Sequence, residues 1–411
     1  MTAHDTDRVS PERTVESGSG APGNAGGSDR LVSRESVASI ATSLAFVAVF
    51  VIFVFWLGGD FYEPKVRMFD ISRSAPQLIL TIAVVVCLCA QQFDLSVAAV
   101  ATGGAFITIG LYLDAGLPMG LAIAITVVTG LLAGLINGLL VTKLGVNAFI
   151  ATLGTTGLFA GLTVVYSDGH VIGPTATTRP LPSWFSGPGS LGDFQNKAPL
   201  WLGLLITAAL VVALLSSFDQ RFVSRTLPAG TRFGILGGVG ILLVLGIYWT
   251  GLLDAMDYMA VIVFVVALLV WLVLTYTAVG QSVYAVGGSE RAATFAGIRT
   301  GRVALGTFMF SGALAAVAGV LIAATQGSAA PSVADPLLLP AYAGAFLSTV
   351  ILSRGRFHIW GAVIGSIALV YITSGLIVGG VHYTWTQVIN GLVLIVTVSL
   401  STYLHRRQAR H

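Results

Sequence analysis

Apolar residues arrive along this chain in long blocks separated by short polar connections. The blocks cover about 38–57, 76–92, 95–113, 117–142, 148–166, 199–217, 233–252, 258–278, 303–325, 339–352, 359–379 and 385–404. Most are near the 20 residues that a helix needs to cross a bilayer core, so the pattern predicts an all-α polytopic bundle of about 10–12 spans. The second and third blocks are separated only by "QQFDLS", which has neither glycine nor proline. Residues 76–113 can therefore be read as two crossings or as one broken or re-entrant helix, and both readings stay open. Residues 1–35 are polar and repetitive, including "SGSGAPGNAGGSD", and are expected to be a disordered tail. The first apolar block starts too far from the N-terminus for a cleaved signal and reads as a retained helix. The domain expectation is thus a tail, a membrane domain over 36–404 and a basic C-terminal tail over 405–411.

Composition agrees with this division. Of 411 residues, 55% are hydrophobic and 9% charged, whereas a soluble domain carries roughly a quarter charged residues. The net charge of +3 gives no basic surface for nucleic acid. The distribution of the cations says more. With the N-terminal tail in the cytoplasm, its four arginines and twelve later basic residues from Lys143 to Arg410 fall on the cytoplasmic side. Only Lys65, Arg67, Arg73, Arg179 and Lys197 of the 21 fall outside. By the positive-inside rule, both termini and the connection 279–302 face the cytoplasm of a cell-membrane protein. If 76–113 is one crossing, the side of the first tail changes, but 279–302 stays inside.

Glycines recur at every fourth position at Gly130, Gly134 and Gly138, and again at Gly361 and Gly365, which predicts close helix packing. Cys87 and Cys89 read as small buried hydrophobes. The six histidines lie in tails and connections without metal-ligand spacing, so no metal site or cofactor is expected. No lysine follows the glycine pattern of a phosphate-binding loop, so the chain does not hydrolyse ATP by that route.

Polar residues inside the apolar field are the candidates for a translocation path. Gln91, Gln92, Asp94 and Ser96 cluster within six residues, and Asp94 either lines or gates a path or caps the helix that follows. Asn137, Asn390, Thr152 and Thr155 are lesser candidates, for which an interhelical hydrogen bond is the expected role.

The stretch "YAVGGSERAATFAGI", residues 284–298, has a different character. Gly287, Gly288 and Ser289 supply a flexible lead-in and a cap, Glu290 suits a first turn, and Gly297 can end a short helix in the left-handed conformation. This soluble-looking helix lies between two long apolar blocks.

Together with "FDLSVAAV" (93–100) and "KLGVNAFIATLGT" (143–155), that stretch resembles the membrane permeases of ribose- and xylose-type ABC sugar importers over about residues 40–404. The extra apolar pair over 199–252 is similar to the longer xylose-type branch. The resemblance implies a permease homodimer in the bilayer, ABC ATP-binding subunits docked beneath it, and an extracytoplasmic sugar-binding protein above. It also implies that 284–298 couples to the ATPase, with Gly288, Ser289 and Gly297 shaping a helix that offers Ala292, Ala293 and Phe295 to a groove, Glu290 and Arg291 at its rim. The expected path residues are Gln92, Asp94, Ser96, Asn137, Thr152 and Thr155. The chain departs from the family pattern at Gln91, Gln92 and Ala98, where glycines are usual, and at Ser289 and Ala296. The rival readings are an ABC permease for nucleosides or branched-chain amino acids, and an ion-coupled secondary carrier. The outer connection 167–198, with Trp184 and Phe185, is either a docking element for the binding protein or a plain connection.

Overall fold

The computed structural model describes residues 48–186, 203–204, 207–208, 256–351 and 356–408. The N-terminal tail, nearly all of the extra pair 199–252 and the last residues of the C-terminal tail lie outside the described residues.

The described chain is helical with no named strand. Its helices are α1 (Ala48–Leu57), α2 (Gly59–Tyr62), α3 (Pro64–Arg73), α4 (Ala75–Cys89), α5 (Val97–Leu113), α6 (Met119–Thr142), α7 (Ala148–Ser167) and α8 (Ser183–Ser186). They continue with α9 (Tyr258–Tyr276), α10 (Ala278–Gly288), α11 (Glu290–Phe295), α12 (Thr300–Gln326), α13 (Asp335–Ile351), α14 (Ile359–Val378) and α15 (Thr386–Gln408). By length and composition, five of these can cross a membrane: α6, α7, α9, α12 and α14. The pair α3 and α4, bent by 55° at Ser74, makes a sixth if taken as one span. A helix satisfies its own backbone polar groups, which is why it can occupy a hydrocarbon layer.

α4 and α12 form the centre. α4 is apolar all round and buried from Leu78 to Cys89, as expected for a helix with no solvated face. α12 packs against α4, α5 and α6. The Gly130, Gly134, Gly138 face meets α12 backbone to backbone. A Cβ on Gly130 would overlap the carbonyl of Gly312, and one on Gly134 the carbonyl of Phe308. Gly361 and Gly365 likewise pack α14 against Ser348 and Leu347 of α13. Both glycine series therefore act as flat packing faces. Cys87 and Cys89 are buried free thiols.

The short contacts group into two ends of the bundle. At one end, Gly301 approaches Thr142, and the Tyr284 hydroxyl donates to the Phe357 carbonyl at 3.3 Å. At the other, Ile172 and Ala329 form an antiparallel bridge, and the Arg179 guanidinium donates to the Tyr112 and Leu117 carbonyls while stacking 3.6 Å from the Tyr112 ring. Lys143, Arg291, Arg299, Arg302 and Arg356 belong to the first end; Lys65, Arg73 and Arg179 belong to the second.

The structure details one open reading and corrects two expectations. Residues 76–113 fall into two helices, with the intervening turn made by Gln91 in the left-handed region (φ 59°), where its N–H reaches the Leu88 carbonyl and that of Gln92 the Cys87 carbonyl. A helix end of this kind usually takes glycine. The sequence pattern also missed α3, because its polar residues disguise a packed helix. Its Arg67 is no surface cation: it is buried beside the Phe61 ring at 4.2 Å and paired with Asp70 at 3.0 Å. Finally, α13 starts at Asp335 and carries Pro340 inside it, earlier than the apolar block suggested.

Candidate functional site

Two places gather the candidate residues. The first is a polar network inside the bundle. Asp94 precedes α5 and is buried. Its Oδ1 accepts from the Ser96 backbone N–H at 3.0 Å and from the Ser96 hydroxyl at 2.6 Å, while Oδ2 accepts from Ser311 of α12 at 2.8 Å. The carboxylate thus orders the turn that leads into α5 and ties it to α12 at once. Asn137 of α6 donates to the Ser96 hydroxyl at 2.9 Å, and Thr155 of α7 donates to Asn137 Oδ1. Tyr342 of α13 donates to the Asp94 main-chain carbonyl at 2.8 Å. One connected set of hydrogen bonds therefore joins α5, α6, α7, α12 and α13 in a buried place where an unpaired polar group would be costly.

The expected path residues separate on this geometry. Asp94, Ser96, Asn137 and Thr155 belong to the network. Thr152 does not: although buried, its hydroxyl donates to the Ala148 carbonyl of its own helix at 2.8 Å instead of bridging helices. Gln92 is half-buried at the turn after α4. Ser311 and Tyr342 are members that sequence reasoning missed. Each is a polar side chain inside an apolar block that also holds other hydroxyl residues, Thr307 beside Ser311 and Ser348 and Thr349 beside Tyr342, so no signal in the sequence singled it out.

The second place is the segment between α9 and α12. Thr277 caps α10 through Gly280 N–H, and Ser289 caps α11, its hydroxyl accepting from Ala292 N–H at 3.3 Å. Glu290 lies in the first turn and Gly297 ends the element with φ 82°. The flexible lead-in is corrected: Gly287 and Gly288 are the last turn of α10. Gly287 is needed there because a Cβ would overlap the Cys89 carbonyl at the end of α4. On α11, Phe295 is 91% exposed and Ala293 only 4%. The free face therefore carries Glu290, Arg291, Ala292 and Phe295, while Ala293 holds the helix to the bundle. An apolar ring this exposed on a helix with soluble-type caps marks a contact surface better than a lipid-facing one.

Among the described residues no cluster of His, Cys, Asp and Glu could hold a metal ion.

Comparison with known proteins gives one concordant result. The sequence pattern of the family described as "Branched-chain amino acid transport system / permease component" matches residues 68–398. The ribose import permease protein of Bacillus subtilis is 29% identical over 352 residues, covering 86% of this chain and 89% of that one. The xylose transport system permease protein of Escherichia coli K12 is 26% identical over 375 residues, covering 88% and 91%. The autoinducer 2 import system permease protein of Yersinia pseudotuberculosis is 25% identical over 333 residues, covering 80% and 76%. No solved structure matches. With most of its length matched and its long apolar helices in place, the chain belongs to this family of transport permease components: it is a multi-pass plasma-membrane protein and not itself an enzyme, ATP hydrolysis being the task of a separate subunit.

Proposed function

We propose that the chain is the membrane subunit of an ATP-driven importer that moves a monosaccharide, with xylose favoured, into the cell by alternating access. The observation that carries this reading is α11, a capped, exposed helix between two long spans. It offers Phe295 and Ala292 to a groove on an ATP-binding subunit, with Glu290 and Arg291 at the rim. The short break after Phe295 at Gly297 leads directly into α12, so a push on α11 reaches the centre of the bundle. The close packing of α10 on the end of α4 through Gly287 supplies a second route. Relatives named for ribose and xylose import support a sugar as cargo. The similarity of the 199–252 region to the longer branch favours xylose.

In this reading the basic end faces the cytoplasm, and an extracytoplasmic binding protein delivers sugar at the other. Two permease copies form the path. The exposed glycines Gly154, Gly157 and Gly161 on α7, which have open space at the Cβ position, support a helix contact between copies. In this reading Asp94, Ser96, Asn137 and Thr155 act as the polar hinge of the path helices. Their hydrogen bonds are made to one another, so the hinge sets helix positions more than it grips a polyol. A neutral sugar needs only a few weak partners to pass.

The test is reconstitution of the permease with its cognate ATPase and binding protein in proteoliposomes. Xylose-loaded binding protein should stimulate ATP hydrolysis and uptake above the ribose-loaded protein. Stimulation by a branched-chain amino acid or a nucleoside, with none by either sugar, would overturn the cargo assignment. Uptake that ignores ATP and follows an ion gradient would overturn the class.

A further inference from the structure

Arg67 is held in a way that the proposed cycle does not use. Its side chain on α3 is 3% exposed, with the guanidinium 4.2 Å from the Phe61 ring and 5.6 Å from the Tyr371 ring on α14. Asp70 stands 3.0 Å from Nη1, but off the hydrogen-bonding line. Nε, Nη1 and Nη2 of Arg67 and Oδ2 of Asp70 are all buried without a hydrogen-bond partner. Arg179, at the same end of the bundle, instead places its donors on the Tyr112 and Leu117 carbonyls. A buried cation whose donors go unused is costly, because one misaligned carboxylate does not replace the water it gave up.

The helix that carries Arg67 is a short lever. α3 meets α4 at a 55° bend, where Pro76 has no N–H to continue the backbone ladder. Beyond the bend, α3 packs on α9 and α14. Its buried stripe is Arg67, Met68, Ile71 and Ser72, while Lys65 and Arg73 are exposed. The Ser72 hydroxyl fastens α3 to α9 by donating to Asp257 Oδ1 at 2.6 Å, and the same oxygen caps α9 through Ala260 N–H at 2.9 Å. This bond and the packing of Met68 and Ile71 hold α3 down. The unsolvated guanidinium works against them.

We propose that α3 is the outer gate of the permease: a strap across α9 and α14 that swings about the bend at Ser74, with the Ser72 to Asp257 bond as its latch and Arg67 as the group that favours opening. The proposal rests on the alternating-access reading of the cycle. In the seated position Arg67 is desolvated. In the lifted position its guanidinium reaches the water and headgroups at the outer boundary. That gain offsets the lost packing of Met68 and Ile71 and brings the two positions close in free energy. A guanidinium suits the task because it stays charged in both positions, and the Phe61 and Tyr371 rings receive it when α3 is seated.

The test joins a lock to two further readouts. Ser72→Cys/Asp257→Cys, closed by a short reducible crosslinker, should lose ATP-driven sugar uptake in proteoliposomes and regain it on reduction, relative to the same variant never crosslinked. Arg67→Met/Asp70→Asn removes both charges at similar volume. It should raise the melting temperature by about 2 °C or more while slowing uptake. Met68→Cys, at a position 2% exposed, should be labelled from outside by a membrane-impermeant maleimide in the assembled complex given ATP, and more slowly when Arg67→Met/Asp70→Asn is added. Full uptake by the crosslinked variant, or no labelling of Met68→Cys beyond the wild-type background, would overturn the gate. A lowered melting temperature with normal uptake in the neutral variant would make the pair an ordinary structural one and overturn the role of Arg67. Labelling needs no particular sugar, so if wild type fails to take up sugar, the cargo reading falls and labelling still decides the gate.

Discussion

The Asp94 network and the α11 helix are both polar features in an apolar chain, yet they solve opposite problems. Asp94, Ser96, Asn137, Thr155 and Ser311 are buried, and each finds its partner within the bundle. α11 is turned outward, with a cap to hold its start, one buried alanine to anchor it and Phe295 left uncovered. Substitutions in the interior should therefore be read in stability, and substitutions on the free face of α11 in function alone.

The largest stability effect is expected where packing is tightest. Gly134→Leu drives a side chain into the Phe308 carbonyl, and overpacking against backbone costs about 3 kcal/mol or more, because neither helix axis can yield cheaply. The monodisperse fraction after solubilisation should collapse. The network comes next. Asp94→Ala leaves the Ser96 and Ser311 hydroxyls without their acceptor, a loss of about 2–3 kcal/mol that a thermal-shift measurement would show. Asp94→Asn keeps the shape and one acceptor oxygen, and the Ser311 hydroxyl can accept from its amide, so the loss should be markedly smaller. Equal losses for both would mean that the network holds by packing rather than by hydrogen bonding.

Sharper comparisons come from two backbone positions. Gly297→Val meets open space but must hold φ 82°, which a β-branched residue resists by about 1–2 kcal/mol. The strain is local to the end of α11, so coupling to the ATPase should fail well before the bundle melts. Gln91→Gly should act in the opposite direction and raise stability slightly, by about 0.5–1 kcal/mol, read as a small rise in the melting point, since it relieves a left-handed glutamine. No rise would mean that the Gln91 side chain contributes something that the turn itself does not require.

The parts legible from sequence were those set by local pattern. Met119–Thr142, Ala148–Ser167, Tyr258–Tyr276, Thr300–Gln326 and Ile359–Val378 follow apolar blocks whose length a bilayer dictates. The Ser289 cap and the glycine faces are equally local signals. Part of what remained hidden depends on partners far away in the chain, and part on which side of a short helix or turn a residue falls. Ser311 reaches Asp94 across 217 positions and Tyr342 across 248, and no periodicity records such pairings. Arg67 looks like a surface cation until α3 packs it against Phe61 and Asp70. Gln91 escaped because its turn is stabilised by two backbone hydrogen bonds, which let a residue without glycine's freedom serve. Ala293 was grouped with Ala292 because composition cannot tell the two sides of a six-residue helix apart.

The central claim is that α11 is a grip for a separate motor and contributes little to holding the fold. The most direct measurement is ATP hydrolysis stimulated by sugar-loaded binding protein for the Phe295→Asp permease, reconstituted with its cognate ATPase, alongside its melting temperature. The account predicts loss of stimulation with an unchanged melting temperature; full stimulation, or a melting temperature that falls together with activity, would contradict it.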